Sequence, residues 1–303
     1  MESRELLSES GLILAADVSD LASLNRLVST CAPFTEVVAV KIGFSLGLRF
    51  SLKEVVHSIK AVKNYPVIYD HQKAGTDIPA MGKVLASLCQ EAGLESFIIF
   101  PQAGPKTLES FVVAAKEANL IPIVGLVMTH QSYLESEGGF IVDKAPDMIL
   151  DLSLKLGVRN FVLPGTKTDI IRRYALKIFS MIGQASILMP GIGSQGGDIA
   201  SVFQAAHQHH AFAIVGSAIY NSPSPQPVFH NDTDTSVASG REHLAKTSVV
   251  DLHAVSMFGI GNSLDDRPAF GLLFVGNDNE LRVKVLVNRF VETGRSSVVG
   301  SDK

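Results

Sequence analysis

Eight short, β-rich apolar runs organise this chain, and they recur at intervals of roughly 30 residues. Most of them are apolar at consecutive positions, which is typical of parallel strands covered on both faces. The segments between them have helical spacing; Leu21, Leu24 and Leu27–Val28 form one apolar stripe. The runs are LILAA (12–16), VVAVKI (37–42), PVIYD (66–70), FIIF (97–100), IPIVGLV (121–127), NFVL (160–163), SILM (186–189) and FAIV (212–215).

Eight similar β-α units, the last ending near Tyr220, favour a closed (β/α)8 barrel of the TIM type over an open doubly wound sheet. No Gly-x-Gly-x-x-Gly follows the first run, which argues against a dinucleotide site. A second helical stripe is predicted at Met81, Val84–Leu85 and Leu88, with Pro79 in the first turn of that helix.

Composition excludes several classes of partner. The chain is 46% hydrophobic, has a net charge of −4 and has a sequence pI of about 6.1, so no basic surplus draws it to nucleic acid or to an anionic membrane. No apolar run approaches a membrane span, and the N-terminus lacks the apolar core of a signal peptide. Cys31 and Cys89 are expected to be buried and reduced. These features predict a soluble cytoplasmic protein.

The regular alternation of apolar runs and helical segments ends at SPSPQP (222–227), and a polar segment follows. We therefore predict a barrel domain at 1–222, which would carry any catalytic site, a polar linker at 223–247 and a small β-rich C-terminal extension at 248–303. In the extension, AFGLLFVG and LRVKVLVNRF flank GNDNE, which predicts a β-hairpin with a polar turn. We find no residues of obvious chemistry in this extension.

The end of the third run carries the most informative residues. Asp70, Lys73 and Asp77 lie within PVIYDHQKAGTDIP, directly after an apolar strand. Charged side chains at such a position are costly to bury, so they are expected either to form ion pairs or to take part in catalysis or binding. In a (β/α)8 barrel the carboxyl ends of the strands carry the chemistry, which makes these three residues catalytic candidates.

Other strand ends carry polar residues that would join the same rim. The first ends at Asp17, the second at Lys41, and the fifth runs into Thr129-His130. Taken alone, Asp17 could cap the segment beginning at Ser19 and Lys41 could lie along the surface. His130 is interpreted as a solvated loop residue without a catalytic role. Together these strand ends predict a site, because the fold brings them to one rim.

Two glycine-rich loops follow the seventh and eighth runs. PGIGSQGGD (190–198) and VGSAIY (215–220) each leave backbone N–H groups bare before a helix, which favours an anion. The glycines could instead only permit tight turns. The positions after strands seven and eight favour a phosphate site.

In their order along residues 11–221, the motifs LILAADVSD, VKIGF, DHQKAGTDIP, VMTH, LPGTKTD, PGIGSQGGD and VGSAIY resemble the orotidine 5′-phosphate decarboxylase family. The wider superfamily includes 3-keto-L-gulonate 6-phosphate decarboxylase and hexulose-phosphate synthase. The resemblance implies a homodimer that decarboxylates orotidine 5′-monophosphate to uridine 5′-monophosphate, a step of pyrimidine biosynthesis, without cofactor or metal.

The resemblance also implies roles for the charged residues. Asp17 and Lys41 would hold the ribose and extend the charged network. Asp70 and Lys73 would flank the leaving carboxylate, with Lys73 as the proton donor. Asp77 would reach into the site of the neighbouring subunit.

The substrate-binding set that the resemblance implies comes from the later strands as well. Thr129 stands where the family has a serine that contacts the pyrimidine, and Gln195 matches a glutamine that bridges base and phosphate. A lysine at position 41 favours the nucleotide branch, because the metal-dependent sugar-phosphate branch has an acidic residue there. The full set is Asp17, Lys41, Thr129, Pro190, Gly191, Gln195, Gly196, Gly216 and Ser217.

The chain departs from the family pattern in the third unit. The spacing D-x-x-K-x-x-x-D-I is one residue longer in each gap, so on a regular strand Gln72 rather than Lys73 would share a face with Asp70. Lys73 can reach the site only through a bulge or turn, which Gly75 makes easier. Ala80-Met81 also replace the polar pair that commonly follows D-I-P.

Ser217 stands where the family has a phosphate-binding arginine. Two alternatives therefore stay open. One is a sugar-phosphate decarboxylase or aldolase of the same superfamily that uses Mg²⁺. The other is a non-catalytic protein that binds a nucleotide phosphate.

Overall fold

The computed structural model describes residues 6–7, 10–71, 77–192 and 199–220, together with three strands at 228–230, 269–277 and 280–288. Eight strands, β1 to β8, form a closed barrel in chain order, and each pairs in parallel with its neighbours, β8 with β1. The predicted (β/α)8 barrel is confirmed. The strands are β1 Gly11–Ala15, β2 Val37–Gly43, β3 Val67–Asp70, β4 Ser96–Ile99, β5 Ile121–Gly125, β6 Asn160–Val162, β7 Ser186–Pro190 and β8 His210–Val215.

Helices follow the strands around the outside of the barrel. The first, α1, begins after Asp20, whose carboxylate accepts a hydrogen bond from the Ser23 N–H at 2.8 Å, and it buries the predicted stripe at Leu24, Leu27 and Val28. The helices are α1 Leu21–Cys31, α2 Phe44–Phe50, α3 Leu52–Val62, α4 Met81–Glu91, α5 Pro105–Glu117, α6 Ala145–Lys155, α7 Thr168–Ile182, α8 Ile199–Ala205 and α9 Ser217–Tyr220.

The predicted helix α4 is present, but its apolar stripe packs inward only in part: Met81 and Leu85 are partly buried against the core. The helix begins at Met81, after Pro79, and it buries Gly82, Ala86 and Cys89, whereas Val84 and Leu88 are 46% and 53% exposed. The reason is a close approach to α5: a Cβ at Gly82 would lie 3.0–3.1 Å from Phe111 atoms, including its backbone. The face with small residues therefore packs inward, and part of the apolar stripe is left outside.

Alternating residues of the strands fill the barrel interior. At its middle, the inward positions are all apolar: Ile13, Ala39, Ile68, Ile98, Ile123, Val162, Leu188 and Phe212. Two residues further along β2 and β3, the same inward side carries Lys41 and Asp70. The apolar core thus ends in charge at the rim formed by the carboxyl ends of the strands.

A separate sheet lies beyond the barrel in sequence. Its order is β10 (Ala269–Asn277), β11 (Glu280–Asn288) and β9 (Val228–His230). The predicted hairpin is present: β10 and β11 pair antiparallel from Ala269↔Asn288 to Asn277↔Glu280. The predicted linker and the domain boundaries fall largely outside the described residues. Within the described ranges, none of the helices combines the length and apolarity that crossing a bilayer requires.

Candidate active site

A buried ion-pair network occupies the ends of β1, β2 and β3. The ammonium of Lys41 lies 2.7 Å from Oδ2 of Asp70 and 3.5 Å from Oδ2 of Asp17. The parallel register explains the meeting, because Ala15 pairs with Lys41 and Gly43 pairs with Asp70. Lys41 and Asp70 are only 4% and 1% exposed, so their charges are almost completely removed from water.

Burial alone would lower the pKa of Lys41. The attraction and hydrogen bonds of Asp70 and Asp17 outweigh that effect, and the net pKa is raised above its ordinary value. Lys41 therefore stays an ammonium at neutral pH. In the part of the chain that the structure describes, no three His, Cys, Asp or Glu side chains cluster as ligands for a metal.

The structure gives Asp17 a different place from that of a helix cap. Asp20 caps α1, whereas Asp17 faces Lys41 and is half-buried. A Cβ added to Gly43 would lie 2.9 Å from Oδ1 of Asp17. Glycine at the end of β2 therefore leaves the room that this carboxylate occupies.

Among the described residues, the carboxylate of Asp70 has a hydrogen-bond partner at only one of its two oxygens. Lys41 binds its Oδ2, but no described residue donates a hydrogen bond to its buried Oδ1. A desolvated anionic oxygen of this kind repels a second carboxylate placed beside it. The site can therefore disfavour a bound carboxylate and favour its departure.

His71 follows Asp70 and was missed by the sequence argument. Its ring lies 5.7 Å from that of Tyr69 and stacks at 6.3 Å on Phe111, and no described residue bonds its buried Nδ1. Burial lowers the pKa of His71 although Asp77 and Asp70 act in the opposite direction. The ring is therefore neutral at pH 7 and packs beside the site.

Three predicted site residues, Lys73, Gln195 and Gly196, lie outside the described residues. The predicted bend between Asp70 and Asp77 lies there too, and these assignments stay predictions.

Asp77 lies on a short exposed stretch that continues through Ile78 and Pro79. Its Oδ1 accepts a hydrogen bond from the Ile78 N–H at 2.7 Å, and its carbonyl accepts one from the Thr107 hydroxyl at 3.0 Å. The N-cap of α4 is Ala80, which makes no side-chain cap bond. Asp77 therefore does not cap that helix, and its carboxylate faces solvent.

Thr129 lies beyond β5, where two rim loops meet. It is half-buried, and its carbonyl accepts a hydrogen bond from the Thr166 hydroxyl at 3.0 Å. The next residue, His130, is exposed, and its ring lies edge-on to Tyr133 at 5.9 Å. The structure thus fixes the main chain at Thr129 and leaves His130 at the surface, where the sequence argument placed it.

The ends of β7 and β8 have backbones that approach their neighbours closely. Pro190 ends β7, its carbonyl accepts from the Gly165 N–H at 2.8 Å, and Gly191 has a φ of +92°. After β8, a Cβ at Gly216 would lie 3.0 Å from the Ala15 carbonyl oxygen, and the half-buried Ser217 begins α9. Glycine is thus favoured at 191 by the positive φ and at 216 by the close approach of Ala15.

Tyr220 is a further rim residue that the sequence argument passed over, although it ends the motif VGSAIY. Burial raises the pKa of Tyr220. The charge of Asp17 adds to this increase and that of Lys41 opposes it, so the phenol lies within electrostatic range of both side chains. The ends of β1, β2, β3 and β8 therefore contribute to one polar region.

Comparison with known proteins gives one consistent family. A model described as the orotidine 5′-phosphate decarboxylase / HUMPS family matches residues 10–230. Orotidine 5′-phosphate decarboxylase of Methanococcoides burtonii is 31% identical over 71% of this chain and 91% of its own length, and that of Methanocaldococcus jannaschii is 27% identical over 71% and 93%. A crystal structure of the M. jannaschii decarboxylase with the inhibitor BMP covers 72% of this chain and 94% of its own, with 26% identity and a TM-score of 0.62.

Proposed function

Because the chain belongs to the orotidine 5′-phosphate decarboxylase / HUMPS family, we propose that it is the lyase that converts orotidine 5′-monophosphate to uridine 5′-monophosphate in pyrimidine biosynthesis. The observation that carries the proposal is the buried Asp17–Lys41–Asp70 network at the carboxyl-terminal rim of the barrel. The M. jannaschii relative holds an inhibitor named BMP, which supports a site for a small ligand in this family.

The proposed reaction uses Oδ1 of Asp70, to which no described residue donates a hydrogen bond. Substrate binding places the carboxylate on C6 near Asp70 Oδ1, which raises the energy of the bound ground state. The bond from C6 to the carboxylate breaks, carbon dioxide leaves and the electron pair stays on C6. The ammonium of Lys73 stabilises this carbanion and transfers a proton to it, and solvent reprotonates the amine.

In this proposal the reaction needs no metal. The ammonium of Lys41 lies between Asp70 and Asp17, at 2.7 and 3.5 Å, where a divalent cation would otherwise bridge the two carboxylates. A fixed positive charge at that place supports the nucleotide branch of the family. A Mg²⁺-dependent sugar-phosphate enzyme remains the second candidate, since the matching family model also covers the HUMPS group.

We also propose that the phosphate binds between the loops after β7 and β8. Gly191 and Gly216 bring bare backbone close to the rim there, and Pro190, Gln195, Gly196 and Ser217 complete the set. Thr129 would contact the pyrimidine. The phosphate lies far from C6, so its binding energy would assist the chemical step through closure of the site.

The proposal includes a homodimer in which Asp77 acts in the neighbouring subunit. Asp77 is exposed, and Ile78 beside it is 63% exposed although it is apolar. Val84 and Leu88 extend the exposed apolar surface along α4. Such a patch beside a catalytic candidate supports contact with a second copy.

One spectrophotometric assay tests the function. Purified protein with orotidylate should release carbon dioxide and form uridine monophosphate at the same rate with and without EDTA. Loss of turnover in EDTA, restored by Mg²⁺, would favour the sugar-phosphate branch. Binding of uridine monophosphate without any turnover of orotidylate would favour the non-catalytic alternative.

A further inference from the structure

Two contacts join the loop after β5 (126–144, the β5 loop) to the loop after β6 (163–167, the β6 loop). The Thr166 hydroxyl donates to the Thr129 carbonyl at 3.0 Å. The neighbouring Lys167 forms an ion pair with Oε1 of Glu137. Because Thr166 and Lys167 are consecutive, one short segment of the β6 loop binds the β5 loop at two places.

Hydrogen bonds within the β5 loop hold its residues 133–141 to one another. The Gly139 N–H donates to the Leu134 carbonyl at 2.7 Å, and the Glu135 N–H donates to the Ile141 carbonyl at 2.7 Å. A Cβ on Gly139 would lie 2.2 Å from the Tyr133 carbonyl oxygen, so only glycine fits this fold of the loop. The contacts to the β6 loop therefore help to set where these residues lie on the rim.

Glu137 connects the ion pair to the segment of the β5 loop that follows Thr129. Its other oxygen, Oε2, accepts a hydrogen bond from the Tyr133 N–H at 3.3 Å, and Tyr133 is buried. The Lys167 and Glu137 side chains are 17% and 29% exposed, so the pair is partly shielded from solvent. The hydrogen bond from Lys167 lowers the pKa of Glu137, which keeps the pair intact at neutral pH.

We propose that Lys167 is a positioning residue that acts through Glu137 to hold Thr129 in the place where the pyrimidine ring is recognised. The inference rests on the proposed function, since it assigns Thr129 to the base. The proposed chemical step assigns no role to Lys167, whose ammonium pairs with Glu137. Loss of the ion pair should therefore weaken ligands that carry a base and spare ligands that consist of sugar and phosphate alone.

The test compares two ligands in matched variants. In Lys167→Met and Glu137→Gln, the Kd of uridine monophosphate and the KM of orotidylate should rise roughly three- to tenfold. The double variant should be no worse than either single one, because both remove the same pair. Inhibition by ribose 5-phosphate should be unchanged in all three, and Lys167→Arg should restore the wild-type KM.

Lys60→Met provides the control. Lys60 pairs with Glu95 at 2.5 Å, with side chains 28% and 33% exposed, before β4 at the opposite end of the barrel. The Lys60→Met variant should lower Tm about as much as Lys167→Met does, and its affinity for both ligands should equal that of the wild type. Equal Kd values in Lys167→Met and the wild type, or parallel loss of both ligands, would overturn the inference alone. Wild-type protein that binds no uridine monophosphate would overturn the proposed function and the inference with it.

Discussion

Lys41 compensates the buried charge of Asp70. Asp70 is 1% exposed and would be unstable as an isolated anion in the barrel, so an ammonium must accompany it. Lys41 supplies that charge from the next strand at 2.7 Å and shares it with Asp17. The pair serves the site more than the fold, because an apolar pair could fill the same volume without desolvating two ions.

Lys41→Met should therefore lower the free energy of unfolding by about 3–5 kcal/mol, since it leaves Asp70 buried without its partner. The double variant Lys41→Met/Asp70→Asn should recover much of that loss, because the uncompensated charge is then gone. Urea denaturation of the three proteins measures both effects. A single variant as stable as the wild type would show that Asp70 does not depend on Lys41.

Lys73→Ala should nearly abolish turnover of orotidylate, since it removes the proposed proton donor. Binding of uridine monophosphate should be largely retained, because the product carries no carbanion for Lys73 to stabilise. Single-turnover kinetics and calorimetric titration separate the two. A wild-type-like kcat in this variant would remove Lys73 from the mechanism.

The site residues that the sequence predicted lie at strand ends, whereas those that it missed are placed by contacts between loops or by burial. Asp17, Lys41 and Asp70 could be grouped because strand ends in a closed barrel share one rim, whatever the loops do. Tyr220 and Lys167 were missed because their neighbours are set by contacts between loops, which no local pattern encodes. The neutral, packed state of His71 follows from burial against Phe111, forty residues away in sequence.

At the scale of elements, the β-rich runs predicted all eight barrel strands to within about two residues at each end, since buried parallel strands are nearly continuous in apolar residues. The stripe predicted on α4 is buried at Met81 and Leu85 only, because apolar periodicity cannot reveal how closely two helices approach. Gly82 allows α4 to lie against the backbone of Phe111, and this contact outweighs the burial of Val84 and Leu88.

The loop after β8 is the element that tests the phosphate site. Ser217 lies at the start of α9, where the resemblance leads us to expect an arginine. Ser217→Arg should lower the KM of orotidylate by roughly tenfold, because a guanidinium adds a charge-assisted bond to phosphate. Ser217→Lys is the matched control for charge without the bidentate geometry. An unchanged or raised KM in the arginine variant would place the phosphate elsewhere.

His209, which directly precedes β8, bonds the residue before β7 and a carbonyl of α7. Its Nδ1 accepts from the Ala185 N–H at 3.1 Å, and its Nε2 bonds the Ala175 carbonyl of α7 at 2.9 Å. Burial lowers the pKa of His209, the Ala175 carbonyl opposes this, and His207 and His210 add to it. The ring is thus held neutral in the folded protein.

A lowered folded-state pKa means that the unfolded chain binds the proton first. Stability should be fully present above pH 6.5, the ordinary histidine value, and should fall by up to about 1.4 kcal/mol per pH unit as the pH decreases toward the folded pKa. Denaturation curves at several pH values should show a shallower decline in His209→Gln. His71, whose pKa is lowered as well, contributes to the slope that remains in this variant. Identical slopes in both proteins would contradict this role of His209.

For the whole molecule, barrel closure brings residues from β1, β2, β3 and β8 together, but it leaves Asp77 facing solvent. A carboxylate with that exposure contributes little to folding, and the apolar Ile78 beside it is equally out of place on a lone barrel. Both observations are explained if a second copy covers the stretch and receives Asp77 in its own site.

Mixing two inactive proteins tests this arrangement. In a heterodimer of Lys73→Ala and Asp77→Ala chains, one site combines Lys73 from one chain with Asp77 from the other, and the second site lacks both. Random exchange of subunits should therefore restore about a quarter of wild-type activity, since half of the dimers are mixed and half of their sites are intact. If Asp77 acted within its own chain, every site would lack one of the two groups. Activity that stays at the level of the unmixed variants, although mass spectrometry shows exchanged dimers, would contradict a site shared between subunits.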